Sequence, residues 1–86
     1  MKILSRKAFV KAYAKLPDVQ KRAVNEALLL FKESPSDPVL RDHALKGKMK
    51  GLRAFSAGYD LRVIYKEEDG FVKVILLDVG THNQVY

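Results

Sequence analysis

The two histidines are the side chains of this 86-residue chain whose ordinary titration lies near neutrality. His82 stands in Gly80-Thr81-His82-Asn83-Gln84-Val85-Tyr86, where a long apolar run gives way to glycine, histidine, two amides and a tyrosine. Polar groups just past the end of a rigid strand are placed where a fold can aim them at a ligand. His43 sits in a loop beside Asp42, and Lys46, Lys48, Lys50 and Arg53 follow it closely. With Arg62 further on, these cations suit an anion-binding surface: arginine holds phosphate oxygens bidentately, and lysine acts as a point charge. There is no cysteine, and two histidines with scattered carboxylates form no recognisable metal-ligand spacing.

The charge balance points the same way. A net charge of +6 and an isoelectric point near 9.7 imply attraction to polyanions, whether nucleic acid or acidic protein. Five cations and no acid lie between Met1 and Leu16, and seven cations against two acids lie between Arg41 and Lys66. The acids gather in the second helical stretch and in Glu67-Glu68-Asp69. With 48% hydrophobic and 30% charged residues the composition is globular, and the length allows one small domain. The lack of cysteine removes any disulfide framework. No run approaches a membrane span, and Met1–Lys7 lacks the apolar core of a signal peptide, so a cytoplasmic protein is expected.

The elements that must carry these groups follow from periodicity. Ile3-Leu4 can add an edge strand to a later sheet. Ser5 is expected to cap a helix in which Phe9, Ala12, Tyr13 and Leu16 recur at helical spacing, with Lys7, Lys11 and Lys15 on another face. Pro17 ends that helix. Asp18 is placed to cap a second, whose stripe is Val19, Ala23, Val24, Ala27, Leu28 and Phe31. Ser5–Glu33 therefore reads as an αα-hairpin, closed by Ser34-Pro35-Ser36-Asp37-Pro38. Val39–Gly47 reads as irregular, pinned by Leu40 and Leu45. Leu52–Ala57 shows strand alternation, and Gly58-Tyr59-Asp60 turns into a strand over Leu61–Lys66. Glu68-Asp69-Gly70 turns again into Phe71–Val79, rich in β-branched residues. The result is an α+β domain of two layers, spanning residues 1–86, with an N-terminal αα-hairpin on a small antiparallel sheet in the order βααβββ.

Two stretches in this order carry a resemblance. His43-Ala44-Leu45-Lys46-Gly47 running on to Gly51-Leu52-Arg53 is one; Asp60-Leu61-Arg62-Val63-Ile64-Tyr65 followed by Val79 to Tyr86 is the other. Together they resemble the RelE/ParE superfamily of bacterial toxins from type II toxin–antitoxin pairs, and within it the YafQ-like branch of mRNA interferases. The resemblance covers nearly the whole chain and is most specific over Arg41–Tyr86. It implies a small toxin that enters the ribosomal A site and cuts messenger RNA there, inhibits translation, and is neutralised by a cognate antitoxin. Operator DNA would be met only through that antitoxin. The matching positions for catalysis are His43, Asp60, His82 and Tyr86. The chain departs from the YafQ-like pattern at Ser56, where that pattern has a further histidine, and at Leu61, where it has tryptophan. The superfamily also contains ParE-like gyrase poisons, and a non-catalytic antitoxin-binding homologue would keep the same frame.

Cutting RNA through its own 2′-OH needs a base for that hydroxyl, an acid for the leaving 5′-oxygen, and cations for the charge that develops on phosphorus. No metal or other cofactor is required. Histidine can serve as base or acid, Tyr86 can stack on a base or relay a proton, and Asp60 can orient a histidine or contact RNA. Arg53, Arg62 and Lys46 are the expected phosphate contacts.

Overall fold

The computed structural model describes all 86 residues. The chain runs β1 (Lys2–Ser5), α1 (Lys7–Ala14), α2 (Asp18–Glu33), β2 (His43–Ala44), β3 (Arg53–Ala57), β4 (Leu61–Glu68), β5 (Lys73–Thr81) and a terminal turn of helix, α3 (His82–Val85). Short 3₁₀ turns at Pro38–Leu40 and Gly47–Met49 punctuate the middle. The five strands form one sheet in the order β1-β5-β4-β3-β2, with α1 and α2 packed on one face, the expected two-layer α+β arrangement. β5 lies second from one edge, and its Val74-Ile75-Leu76 is an unbroken buried run rather than an alternating one.

Local chemistry differs from the sequence reading at several points. Ser5 does not cap α1, because it is taken up as the last residue of β1; Arg6 is the N-cap, with no side-chain hydrogen bond. Pro17 holds the N-cap position of α2, and Asp18 is the first helical residue, where its negative charge still suits the helix dipole. β1 pairs with β5 in parallel, Lys2 beside Lys73 and Ser5 beside Leu76, so the sheet is mixed rather than wholly antiparallel. β2 and α3 add two elements to βααβββ. The apolar stripes do reach the core through Phe9, Val24, Ala27 and Phe31, whereas Val19 at the start of α2 is exposed. Each helix packs chiefly on the sheet; a hydrogen bond from Tyr13 Oη to Asn25 Oδ1 (2.8 Å) ties them to each other.

The β4–β5 turn is tighter than its composition suggests. Asp69, Gly70 and Phe71 all adopt positive φ, at 55°, 63° and 71°. Asp and Gly visit this region readily, but a phenylalanine there costs about 1–2 kcal/mol. Phe71 is held by its N–H donating to Glu67 Oε2 (3.1 Å) and by its ring packing on Phe31 and Tyr65, and the strand starts only at Lys73. Phe31 is the centre of the core. It stacks on Phe55 at 4.6 Å between ring centroids and meets Tyr65 edge-on at 5.0 Å. Each such pair adds about 0.5–1.5 kcal/mol beyond burial.

Candidate functional site

Strand pairing decides which side chains share a face, because residues directly opposite in register point the same way. His43, Ala54, Ile64 and Asp78 form one row across the sheet. Ser56, Arg62 and Gly80 form the next row on that same face. This is the face away from α1 and α2, since Phe55, Val63, Tyr65, Leu76 and Val79 of the opposite parity build the helix-covered core. By strand spacing the Cα atoms of His43 and Arg62 lie about 12 Å apart, roughly the reach of two nucleotides.

His82 and Tyr86 enter this face from α3. They are four residues apart on one side of the helical turn, and their rings meet edge-on with centroids 4.6 Å apart. The turn is closed by Thr81 N–H donating to Gln84 Oε1 (2.8 Å). It lies directly on Gly80: a Cβ there would come within 2.8 Å of Gln84 Oε1 and 3.2 Å of Val85 Cγ1. Gly80 is thus required by a close approach, not by backbone conformation. Arg62 reaches the same corner. Its Nη1 donates to Leu61 O (3.1 Å), and its charge acts on the Tyr86 hydroxyl. Burial raises the Tyr86 pKa above the usual tyrosine value, with Arg62 opposing in part, so the hydroxyl stays protonated through neutral pH.

His43 is exposed on the edge strand, and its ring is fixed from one side. Nδ1 lies 2.9 Å from Arg41 O, and since a carbonyl only accepts, Nδ1 carries the proton in this contact. The neutral ring then presents Nε2 outward as a free acceptor. Arg41 itself is left-handed (φ 50°), at the end of the Pro38–Leu40 turn. Lys46 follows three residues later, exposed and without an ion pair, at the mouth of the β2–β3 connection.

Two expected site residues are placed elsewhere. Arg53 pairs in register with Tyr65 and so lies on the helix-covered side, opposite to Arg62. Its guanidinium is taken up by Asp42 Oδ2 (Nη2 at 2.9 Å, Nε at 3.3 Å) and by Tyr65 Oη (3.1 Å), with the Phe71 ring 5.8 Å away. The hydrogen bond to Asp42 raises its pKa further, and its Nε and Nη2 are engaged within the fold. Asp60 is exposed in the β3–β4 turn, where its carboxylate makes no hydrogen bond or ion pair. It lines a shallow hollow with Val19, Gln20 and Ala23 of α2 and is not joined to either histidine. Ser56, the position of the missing histidine, is buried directly opposite Arg62. No group of three or more His, Asp or Glu side chains is arranged to hold a metal ion.

The sequence reading passed over Asp42 and Tyr65. Tyr65 Oη donates to Asp42 Oδ1 (2.5 Å), so one carboxylate holds both Arg53 and Tyr65 across β2, β3 and β4. Nothing in the order of residues announces a partner 23 positions away.

The chain is similar to known proteins along its whole length. A family model described as "Bacterial toxin of type II toxin-antitoxin system, YafQ" matches residues 1–86. A copper-bound mutant toxin from Helicobacter pylori is 32% identical, with a TM-score of 0.76 over 100% of this chain and 99% of that one. YafQ in an Escherichia coli DinJ–YafQ complex is 27% identical, with a TM-score of 0.69 over 99% and 97%. YafQ from E. coli strain BL21(DE3), at 24% identity and a TM-score of 0.78 over 99% and 97%, shares the fold. A search of curated proteins gave no significant match. The open sheet face, the terminal helical turn and a family match along the whole length agree, and the chain belongs to the YafQ family of type II toxin–antitoxin toxins.

Proposed function

We propose that this toxin is a ribosome-dependent endoribonuclease that cuts messenger RNA in the A site through the 2′-OH of its substrate, without a metal. The observation that carries the reading is the His82–Tyr86 pair, held in edge-on contact beside Arg62 on the open face of the sheet. His82 is the central catalytic group. His43, with Nε2 free, supplies a second proton acceptor on the face that carries Arg62. Tyr86 stays protonated and stacks or donates a hydrogen bond. Arg62 and Lys46 bind phosphate oxygens, and Asp60 contributes at the rim as an acceptor for RNA.

Dependence on the ribosome is supported by exposure. His43, His82 and Lys46 all stand in solvent. The middle of the face is shielded at Ala54, Ser56 and Ile64, but around His43, His82 and Lys46 little water is excluded, and electrostatic stabilisation is weak there. A second wall, supplied when the toxin docks, would remedy both. A cognate antitoxin is the expected partner, as DinJ is for the E. coli relative.

Primer extension on one translated message, with and without ribosomes, tests the reading. Cuts at fixed codon positions that need ribosomes and disappear with His82→Ala are expected. Intact RNA in every wild-type lane would refute the nuclease assignment; cuts that persist in His82→Ala would refute the role of His82.

A further inference from the structure

We infer that Asp42, held by Tyr65 and Arg53, is a positioning residue for His43. The inference rests on the nuclease reading for its catalytic consequence, but its structural part can be tested alone.

β2 is only two residues long and lies at the sheet edge, paired to β3 through His43–Ala54 and Ala44–Arg53. A strand this short is not held firmly by its ladder. Just before it, Arg41 is in the left-handed region, and its carbonyl fixes the His43 ring. Between the two stands Asp42, whose side chain lies on the helix-covered side while His43 points to the open face. Its carboxylate is bound three ways: by Tyr65 Oη at one oxygen, and by Arg53 Nη2 and Nε at the other. Tyr65 and Arg53 face each other in register, so the clamp is anchored on two adjacent strands. Tyr65 is also fully buried among Phe31, Phe55 and Phe71.

A carboxylate clamped to the core therefore sets the backbone on either side of it. The Arg41 carbonyl is presented to Nδ1 of His43, which fixes the tautomer and leaves Nε2 facing the open side. The catalytic histidine is oriented from the opposite face of the sheet, through one residue of backbone. The Tyr65 hydroxyl is the part of this device that can be removed without touching the RNA-facing surface.

The experiment is nitrogen-15 NMR of the histidine side chains, in wild type and Tyr65→Phe, at a pH where both rings are neutral. In wild type, His43 is expected to be mostly the Nδ1–H tautomer. In Tyr65→Phe, its signals should move toward those of a freely rotating histidine, while those of His82 stay in place. Ribosome-dependent cleavage by the variant should fall by about tenfold in kcat, with little change in KM. Asp42→Asn, which keeps the shape but weakens the ion pair, should show the same tautomer shift in smaller degree. That second variant decides the matter if Tyr65→Phe folds poorly. Unchanged His43 signals in folded Tyr65→Phe or Asp42→Asn would overturn the inference. If wild type cuts no RNA, the nuclease reading fails, and the tautomer measurement still tells whether the clamp sets His43.

Discussion

Replacing Gly80 by alanine should separate the site from the fold. Gly80 is paired with Arg62 in β4 and lies under α3. An added Cβ would stand 2.8 Å from Gln84 Oε1, 3.1 Å from Gln84 Cβ and 3.2 Å from Val85 Cγ1. The amide oxygen can swing aside, but only by giving up its hydrogen bond to Thr81 N–H. The other two contacts require α3 itself to move. Losing a cap of this kind costs about 1 kcal/mol. Stiffening the unfolded chain by a glycine-to-alanine change returns about 0.4–1 kcal/mol. The net change in stability is therefore within about 1 kcal/mol, or a melting shift below about 8 °C for a domain of this size. His82 and Tyr86 both ride on α3, and a displacement near 1 Å can cost about 100-fold in rate. Thermal unfolding by circular dichroism, set beside primer extension on a translated message, reads both quantities. Near-native melting with cleavage down about 100-fold is expected. Full cleavage would refute the view that the seating of α3 on Gly80 positions His82. A melting loss well beyond 8 °C would show instead that α3 is part of the stabilising core.

Two further outcomes follow from the charges and from Tyr65. If Arg62 and Lys46 each neutralise one phosphate, affinity for a single-stranded RNA oligonucleotide should fall about 7-fold between 50 and 200 mM salt. Arg62→Gln should reduce the slope of log affinity against log salt by about 0.7, whereas Arg53→Gln, on the other face, should leave it alone; an equal effect of both would refute the facial assignment. Burial first, and the hydrogen bond to Asp42 second, push the Tyr65 hydroxyl well above the ordinary value near 10. A group raised in the folded state contributes stability below its unfolded pKa and loses it as pH rises past that value. Urea unfolding should therefore show wild type weakening above about pH 10 more steeply than Tyr65→Phe, and parallel curves would refute the shift.

The legible parts of this fold were those written in local pattern. Phe9, Ala12 and Tyr13 before Pro17, and Val24, Ala27 and Phe31 after it, set out two helices facing one core. The Glu68-Asp69-Gly70 signal located the β4–β5 turn to within a residue or two. The parallel pairing of β1 was hidden because alternation reads the same in either direction. β2 and α3 were too short to show a period, although His82 and Tyr86, four apart, did carry the helical spacing. The site was legible by residue type and less so by place. Arg53 and Arg62 look equivalent along the chain, but the register set by the Gly58-Tyr59-Asp60 turn puts them on opposite faces. A slip of one residue would have reversed either strand. The Asp42 clamp depends on that register too, so no reading of neighbours could have found it.

The parallel pairing of β1 with β5 has a consequence for synthesis. Lys2 meets Lys73 across 71 positions of sequence. Closing a loop of that length costs about 4 kcal/mol in chain entropy before any contact offsets it. β5 also supports β4 and carries α3, so the sheet cannot close until residues 73–81 have been made and have cleared the exit tunnel. Until then the nascent chain carries the residues of the helices, β3 and β4, but neither β5 nor the turn that bears His82. On the reading proposed above, the RNA-facing surface is incomplete until β5 and α3 have been made and have folded onto β4. The interval between the synthesis of β5 and the docking of β1 onto it is when an antitoxin would have its first opportunity to intercept the toxin.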